Sequence, residues 1–460
     1  MLRYSLFALF CTSFITAQGE IPEFARVRRM SDDDVAKKRE GMFFTGLPDI
    51  SSDPVTGFGF GARTNIYWNG DRSNPLFPYT PYFARLKVNA AYYTSNAREL
   101  GLSLDIPYYK GSRWRYKIDF KAQQSPANLY FGSAESTLGL LRLPSSPEGG
   151  GYETYAAYDT ARKTLRPGGA GEGPLVTDAL SNRFRETEYM LNLKADYAIG
   201  NAGWRILGGY EIQHLSYATF QGYDAEAVNS ATGENTTAPN GISLLARDAD
   251  RGLIYGLDGG RISLVQGALI YDTRDFEPDP TRGVYFEIAN EFSNPGIGSA
   301  YAFNKVFIQG KGYLKLPWGS RTVLAGRFGI GNIFGEKAPF FEFQDQWSPD
   351  GSINALGGRQ SLRGYRPNRF LARSMWFANI ELRIRLFDFT VWNEHFGVGI
   401  APFLDVGTVR DNWLALNFER LRFSYGGGLR IAWSQSTMIS LDYGRSSEDQ
   451  LVYFGLGQIF

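Results

Sequence analysis

The sequence predicts an all-β protein that folds as a sixteen-stranded antiparallel transmembrane β-barrel. Three observations predict this fold: apolar and polar residues alternate in segment after segment, many of these segments exceed ten residues, and short connections alternate with long ones. Alternation with a period of two is typical of a strand whose two faces meet different surroundings. A tilted strand needs about 9 to 11 residues to cross a bilayer, whereas the usual globular strand has about 5 to 6.

The clearest alternation lies near residue 380, where Ile380 and Leu382 follow the apolar face while Glu381 and Arg383 follow the polar face. Charged residues in mid-strand indicate a polar lumen behind a lipid-facing wall. The wall must close, because an open edge in lipid leaves backbone groups unpaired at a cost of several kcal/mol each. The predicted strands are 41–50, 57–69, 81–94, 97–109, 112–124, 184–199, 203–220, 260–273, 282–293, 299–315, 320–334, 374–388, 396–409, 421–434, 437–446 and 451–460.

The connections between these strands fall into two classes. Short turns opposite long loops, on an even number of antiparallel strands, are typical of a bacterial outer-membrane barrel. The alternative is a large secreted β protein, a sandwich array or a propeller, in which alternation separates a core from water. The short turns include 110–111, 200–203, 317–319 and 434–436, and the long loops lie near 125–182, 221–259 and 335–373.

The composition excludes several classes of protein. Lysine and arginine total 48 against 47 aspartate and glutamate, so the net charge of +1 does not favour a nucleic-acid partner. The 53 glycines and a 15% share of aromatic residues favour turns and strands. No run of about 20 apolar residues occurs beyond residue 20, which argues against a bundle of transmembrane helices.

The chain is predicted to have three parts. Residues 1–17 predict a signal peptide, because Arg3 precedes an apolar stretch that ends in small residues. The single cysteine, Cys11, lies in that peptide, so no disulfide is expected in the mature chain. Residues 18–40 predict a short charged periplasmic tail, and residues 41–460 predict the barrel, located in the bacterial outer membrane.

Two segments go beyond the general pattern of a barrel. Arg363, Gly364 and Tyr365 resemble the Arg-Gly-aromatic tip of the sixth outer loop in the barrel-assembly and two-partner-secretion translocon superfamily, the bacterial surface antigen family. Residues 403–407, Phe-Leu-Asp-Val-Gly, resemble the aromatic-x-Asp-x-Gly strand motif of the same family. The resemblance covers residues 41–460 and implies a barrel-only member, since this chain shows neither the POTRA nor the patatin-like domains that other members carry.

The alternation of the later strand places Phe403, Asp405 and Gly407 on its lumen face. A guanidinium from the loop can form a bidentate pair with such a carboxylate, which a lysine would not reproduce. Arg363 is the candidate for this pair, and the resemblance implies that the pair holds the sixth loop inside the barrel. Glu381 and Arg430 face the same lumen as further partners.

An alternative reading of Arg363 is a solvated loop arginine. A second reading of the neighbouring arginines is contact with anionic lipopolysaccharide. The sequence is thus compatible with three roles for these arginines: an ion pair in the lumen, solvated loop charge, and contact with lipopolysaccharide.

The last strand is predicted to carry a C-terminal sorting signal. Phe454, Leu456 and Phe460 share one face, and an aromatic terminus is expected to pack at the membrane interface. At the other end of the wall, Pro48 lacks a backbone donor and is tolerated at strand edges. The first and last strands are therefore expected to meet in a weakly paired seam.

The family resemblance implies a protein that assists the insertion or translocation of polypeptides at the outer membrane. The alternatives are a passive channel with a loop plug and a surface-loop adhesin or structural protein. The expected partners are outer-membrane lipid, lipopolysaccharide, client polypeptides and periplasmic chaperones.

Neither catalysis nor a cofactor is expected, because the chain has two histidines, His214 and His395, and no nucleophile motif. No metal site is predicted either. The acidic turn could attract calcium, but turn formation and solvated charge explain its composition more simply. The acidic residues of that turn are Asp272, Asp275, Glu277 and Asp279.

Overall fold

The computed structural model describes most of the chain from residue 35 onward. The predicted signal peptide lies outside the described residues, and so does most of the predicted periplasmic tail. No helix of the described part is long and apolar enough to cross a membrane. The described residues are 30, 35–36, 38–53, 57–146, 150–168, 174–275, 277, 279–318, 321–391, 394–415, 417–433 and 437–460.

In the described part of the chain, sixteen strands, numbered β1 to β16 in chain order, form one antiparallel sheet in which each strand pairs with the next. The sheet closes between β1 and β16, where Ser52 lies opposite Phe454. The all-β, antiparallel prediction is confirmed, and each predicted range overlaps one of these strands. The strands are Met42–Asp53, Gly57–Trp68, Ala84–Tyr93, Arg98–Ile106, Trp114–Leu129, Arg183–Ile199, Trp204–Thr219, Gly260–Asp272, Gly283–Ser293, Phe303–Leu316, Arg321–Phe334, Ser374–Val391, Glu394–Arg410, Arg422–Trp433, Thr437–Arg445 and Gln450–Leu456.

The two faces of the wall differ as the alternation predicts. On β12, Asn379 and Glu381 are buried in the interior, whereas Ile380 and Leu386 between and beyond them are exposed. Successive residues of a strand point to opposite faces, so one face of β12 is polar and enclosed while the other is apolar and open. The exterior of a cylinder with this pattern is suited to contact with lipid.

The connections lie at two rims. At the inner rim the strands are joined by mostly short turns, while the outer rim carries the long loops, numbered here loop 3 (130–182), loop 4 (220–259), loop 6 (335–373) and loop 8 (446–449). The described residues of these loops include two helices, α1 at Tyr155–Lys163 and α2 at Leu244–Asp250. The loops also hold three short ribbons, which pair Arg166–Pro167 with Leu175–Val176, Asp224–Val228 with Asn235–Pro239 and Asp345–Gln346 with Ile353–Asn354.

Single turns of 3-10 helix complete the connections at both rims. They are Phe77–Tyr79, Tyr109–Gly111, Ala134–Leu138, Pro295–Ile297, Phe340–Gln344 and Trp413–Ala415. The turn at Phe340–Gln344 matters most for the interior, because it lies at the base of loop 6.

Loop 6 fills the interior of the barrel instead of standing outside it. Near its base, Phe340 and Phe341 are buried against Tyr217 and Phe184, with ring centroids 5.1 Å apart for Phe340 and Tyr217. Further along, the loop contributes a second buried cluster with residues of the wall. That cluster contains Leu138, Phe307, Ile353, Leu356, Leu362, Tyr365, Phe370, Ala372, Met375, Phe377 and Val409.

The C-terminus departs from the sequence prediction. The last strand ends at Leu456, and Gly457 adopts φ +89°, a left-handed conformation that glycine accepts without steric cost. Phe460 consequently lies inside the barrel, 7% exposed, in a cluster with Tyr313, Val323 and Ala325. The prediction that Phe460 continues the outer apolar face of the last strand is therefore wrong.

The remaining parts of the predicted sorting signal stay in the wall. Phe454 is half-buried on β16 and lies opposite Ser52. The Leu456 backbone pairs with Ile439 of β15, and the Leu456 side chain lies outside the described set. Arg383 donates to the Phe460 carbonyl oxygen at 2.6 Å. The terminal four residues are thus a tail on the lumen side of the inner rim, held by both apolar packing and a cationic partner.

The described residues before β1 are hydrogen-bonded to residues 69–83, which connect β2 and β3 at the inner rim. Lys38 donates from Nζ to the carbonyl oxygens of Phe77 and Thr80, at 2.7 Å in each case. Arg72 donates back to the carbonyl oxygens of Val35, Ala36 and Lys38. Burial lowers the pKa of Lys38 to about 7, so this contact is sensitive to pH near neutrality.

Substitution of the terminal ring tests the inward position of the tail. We expect Phe460→Ala to lower the free energy of unfolding by about 3 to 5 kcal/mol, since a buried phenyl ring is lost. The matched control is Phe418→Ala, which removes a ring that is 79% exposed. Guanidinium unfolding in lipid vesicles measures both values, and an equal, small effect of the two substitutions would place Phe460 outside.

Candidate functional site

The site is built where the tip of loop 6 meets the inner face of the wall. Arg363 lies at this tip between Leu362 and Gly364, and its side chain is 0% exposed. The apolar neighbours Leu362 and Tyr365 are also buried, so the arginine is carried into the interior by packing on both sides. An isolated charge at this depth is costly, and its partners therefore decide whether the loop can remain docked.

Arg363 makes a bidentate pair with Asp405 of β13. Its Nε donates to Oδ2 at 2.9 Å and its Nη2 donates to Oδ1 at 2.8 Å, while its backbone N–H also donates to Oδ2 at 3.1 Å. The remaining guanidinium nitrogen, Nη1, donates to Glu381 Oε1 on β12 at 2.6 Å. The structure thus brings together the arginine and the two carboxylates that the sequence places on the lumen face.

The two other residues of the β13 motif shape the space around this pair. The Arg363 guanidinium lies over the Phe403 ring, 3.3 Å from its centroid, which is a cation–π contact. A side chain at Gly407 would lie 2.8 Å from the Trp376 carbonyl oxygen and 3.1 Å from Leu356 of loop 6. Phe403 therefore contacts the charge directly, whereas Gly407 leaves room for the loop.

Arg430 belongs to the same network through a carboxylate that the sequence prediction missed. It donates to Asp442 of β15 at 2.8 Å, and the same nitrogen lies 3.6 Å from Glu381. Asp442 also lies 3.6 Å from Arg363 Nη1. The alternation on β15, where Met438, Ser440, Asp442 and Gly444 are buried, is the signal that could have found it.

Asn379 of β12 is a second residue that sequence reasoning missed. Its Nδ2 donates to Asp405 Oδ1 at 2.8 Å and to the Ser361 carbonyl oxygen of loop 6 at 2.6 Å. Its Oδ1 accepts from Arg327 of β11, which also donates to the Gln360 carbonyl oxygen. Asn379 therefore fixes the Asp405 carboxylate and the loop backbone at once.

Charge balance explains why Arg363 can be buried. Burial alone would lower its pKa, but the carboxylates of Asp405 and Glu381 raise the pKa of Arg363 above its usual value. Arg383 donates to the second oxygen of Glu381 at 3.0 Å. Three arginines and three carboxylates thus compensate one another, the arginines being 363, 383 and 430 and the carboxylates those of residues 381, 405 and 442.

Gly364 allows the loop tip to touch the wall backbone. It adopts φ +94°, and a Cβ there would lie 2.7 Å from the Arg445 carbonyl carbon. On β15 itself, a Cβ at Gly444, the residue before Arg445, would lie 2.8 Å from the Gly364 nitrogen. This approach brings the Gly364 N–H within 3.1 Å of the Tyr453 hydroxyl on β16, which in turn donates to the Tyr365 carbonyl oxygen.

Tyr365 packs inside the barrel mouth. Its ring meets Phe370 edge to face at 5.0 Å, and its hydroxyl lies 3.2 Å from Ser447 Oγ. Burial raises the pKa of Tyr365 above its usual value. All three residues of the predicted tip motif are therefore in contact with the interior.

The other arginines near the tip of loop 6, Arg359, Arg366 and Arg369, also have protein partners. Arg366 pairs with Asp449 at 2.8 Å and Arg369 with Glu448 at 2.7 Å, so loop 6 is tied to loop 8. Arg359 donates to Ser440 Oγ at 2.6 Å and to the Gly457 carbonyl oxygen at 3.4 Å. Loop 6 thereby also contacts the start of the C-terminal tail.

The acidic residues of the turn after β8, for which the sequence predicts no metal site, contact several different partners. Asp272 accepts from Arg274 at 3.0 Å, Asp275 accepts from the Thr281 backbone at 2.9 Å, and Asp279 accepts from Gln458 at 2.9 Å. Among the described residues, no group of three or more acidic, histidine or cysteine side chains is arranged to hold a metal.

Two family models match the chain. The Omp85 superfamily domain matches residues 84–460, and a domain of unknown function (DUF5982) matches residues 21–83. The chain belongs to the Omp85 superfamily. Proteins of this superfamily are β-barrels of the outer membrane of Gram-negative bacteria, and this Omp85 protein is located there accordingly.

The boundary between the two matched regions separates β2 from β3, yet these strands pair from Gly59 to Trp68.

Solved structures of similar fold include BamA from Haemophilus ducreyi lacking POTRA domains 1–3. It is 14% identical over 92% of this chain and 70% of that chain, with a TM-score of 0.50. CdiB from Escherichia coli is 12% identical over 90% of this chain, also with a TM-score of 0.50. The Omp85 protein spans 62% of that CdiB chain. A search of curated proteins found no match.

The close approach at Gly364 yields a direct test of loop docking. We expect Gly364→Ala to undock the tip, because the added methyl group meets backbone at 2.7 Å and a left-handed alanine is strained. Gly351→Ala is the control, since Gly351 has φ +120° in the same loop with nothing within 4 Å. Limited proteolysis of loop 6 should accelerate at least tenfold only in Gly364→Ala. Equal rates in both variants would contradict a docked tip.

A double-mutant cycle tests the pair itself. We expect Arg363→Ala and Asp405→Ala each to cost about 3 to 5 kcal/mol, since either leaves a buried charge unpaired. The double variant should fall short of the sum by roughly 0.5 to 3 kcal/mol. Guanidinium unfolding in lipid vesicles provides the free energies, and purely additive values would mean that the two residues do not pair. Arg363→Lys should cost less than Arg363→Ala yet still destabilise the protein, because lysine keeps the charge but lacks the bidentate geometry.

Proposed function

We propose that this Omp85 protein assists the insertion or translocation of polypeptides at the outer membrane, with the tip of loop 6 as a plug inside the barrel. The observation that carries the proposal is the fully buried Arg363, which ties the loop to β12 and β13 through Glu381 and Asp405. Family membership and the fold shared with BamA and CdiB support the same role.

The wall offers a path for a client strand at the seam. Residues of β1 pair with β2 along its whole length, from Met42 opposite Trp68 to Asp53 opposite Gly57. Toward β16, in contrast, one residue pair, Ser52 opposite Phe454, is present among the described residues. A strand edge with free backbone donors and acceptors can add another strand by main-chain hydrogen bonding. The backbone of Pro48 takes part in the β1 and β2 ladder opposite Ala62.

A gated passive channel is the second candidate, and the charged lining of the lumen favours it. Buried ionic side chains such as Lys305 and Glu291, 2.6 Å apart, line the interior beside the loop. An ion path would open if the plug moved aside. A surface adhesin is a weaker candidate, because loops 3 and 4 alone support it.

We propose that the protein has no enzymatic activity and uses no cofactor, and that it is exported by its first 17 residues. His214 lies exposed on β7, and the His395 side chain lies outside the described set. Chaperones of the periplasm would meet the inner rim, where the Lys38 contact fixes the N-terminal segment.

Crosslinking at the seam tests the proposed role. We expect a photoreactive group at position 454 to capture unfolded barrel polypeptides during their export, since the Phe454 backbone lies at the weakly paired edge. The same group at position 441 on β15 is the control, because Leu441 faces outward with strands on both sides. Depletion of the protein should lower the amounts of other barrels by several-fold. Capture of lipid alone, with unchanged outer-membrane composition, would refute the proposal.

Planar-bilayer recording distinguishes the channel candidate. Arg363→Ala should raise the conductance in either case, because the plug loosens. Arg373→Ala is the matched control, since Arg373 lies in the same loop and, among the described residues, its guanidinium contacts the nearby Gly335 and Glu336 carbonyl oxygens and the Phe343 ring. A higher conductance without any client capture would favour the passive channel.

A further inference from the structure

The outer rim contains a cavity that the plug does not use. Its volume is about 460 Å³, within the range of roughly 300 to 1,000 Å³ typical of small-molecule sites. It lies between α1, the outer ends of β5 and β6, and loops 6 and 8. The lining residues are Leu129, Tyr155, Ala156, Asp159, Thr160, Arg162, Lys163, Arg183, Arg366 and Asp449.

The lining of this cavity carries an excess of positive charge. Asp159 is shared by Arg162 and Lys163, the latter at 2.8 Å, and Asp449 pairs with Arg366. Four cations thus face two carboxylates, which leaves a formal charge of +2. An anion in the cavity would restore neutrality.

Arg183 is the cation that the described residues leave without a carboxylate. It lies farther than 4 Å from every described acidic group, and its Nε is buried without a hydrogen-bond partner. A buried guanidinium nitrogen without an acceptor costs free energy, so the site is incomplete without one. Guanidinium groups bind phosphate and carboxylate oxygens through paired N–H donors.

The position of Arg183 on the wall indicates where the ligand comes from. Arg183 is the first residue of β6 and lies opposite Leu129 of β5, which also lines the cavity. Farther toward the membrane on the same strand, Tyr189, Leu191 and Leu193 are exposed. An aromatic residue above an apolar band marks the edge of the hydrocarbon layer in such barrels. Arg183 lies six residues farther out, about 20 Å along the strand at about 3.3 Å per residue.

We propose that this cavity binds the phosphate-bearing saccharide headgroup of an outer-leaflet lipid. The charge of the lining, the unpaired Arg183 and its height above the apolar band carry the proposal, which is independent of any role in polypeptide insertion. Because the lining includes Tyr155 of α1 and Arg366 of loop 6, an occupant would join the loop 3 helix to the plug loop. Free sugar phosphates share the same chemistry, and the experiment separates the two sources.

Binding measurements on the full-length protein in detergent micelles test the site. The probes are phosphorylated lipopolysaccharide, the same lipopolysaccharide after removal of its phosphates, and free glucose 6-phosphate. We expect Arg183→Gln to weaken binding of the phosphorylated lipid at least tenfold, since charge-assisted hydrogen bonds are lost. Arg185→Gln, two residues along the same face but outside the cavity, should bind like the unchanged protein. Arg183→Lys should be intermediate, because it retains charge without the planar fork.

Each outcome decides the question. Binding that requires both the lipid phosphates and Arg183 supports the proposal. Equally tight binding of glucose 6-phosphate, with the same dependence on Arg183, overturns the lipid as the source and assigns a soluble solute. Binding that is unchanged in Arg183→Gln, or that persists after phosphate removal, overturns the site. An unchanged heat-dependent gel shift of each variant verifies that the barrel is folded.

Discussion

Burial of one guanidinium determines the arrangement of the interior. Arg363 carries a full charge with no exposed surface, and such a charge is tolerated only where carboxylates and further hydrogen bonds surround it. Asp405 and Glu381 supply the negative charges that balance Arg363, and Asn379 orients the Asp405 carboxylate by donating a hydrogen bond to it. These partners lie on two adjacent strands, so a shift of the loop by one residue would break all of them together.

The same arginine links parts of the chain that are far apart in sequence. Arg363 lies beside Gly364, which touches β15 and donates its backbone N–H to the Tyr453 hydroxyl of β16. Arg359 reaches the start of the C-terminal tail at Gly457. Loop 6 therefore contacts the strands on one side of the seam, and its displacement would alter the support of β16. The plug and the closing strand are mechanically connected through these contacts.

Alternation alone was enough to predict the inward positions of Asp405, Glu381 and Arg430, because a strand side chain has only two directions to point. Asp442 also faces the lumen by the same alternation on β15. Its place in the charge network was not predicted, because β15 contains no motif that resembles the family. The inward turn of Phe460 escaped prediction for a different reason. Alternation assumes a continuous strand, and the left-handed backbone at Gly457 ends it. The loop structure, including α1 and its cavity, depends on contacts between distant segments that carry no periodic signal.

An ionic plug differs physically from a hydrophobic one in how it is released. Withdrawal of an apolar plug into water exposes its surface at about 25 cal/mol per Å². When the loop leaves, water instead replaces the contacts between Arg363 and its carboxylates. Hydration of the separated charges then offsets most of the attraction that is lost. The geometry of the pair thus fixes the position of the loop tip strongly, while the net free energy that the pair itself contributes stays small. A plug that must be both specific and removable is best served by such a contact.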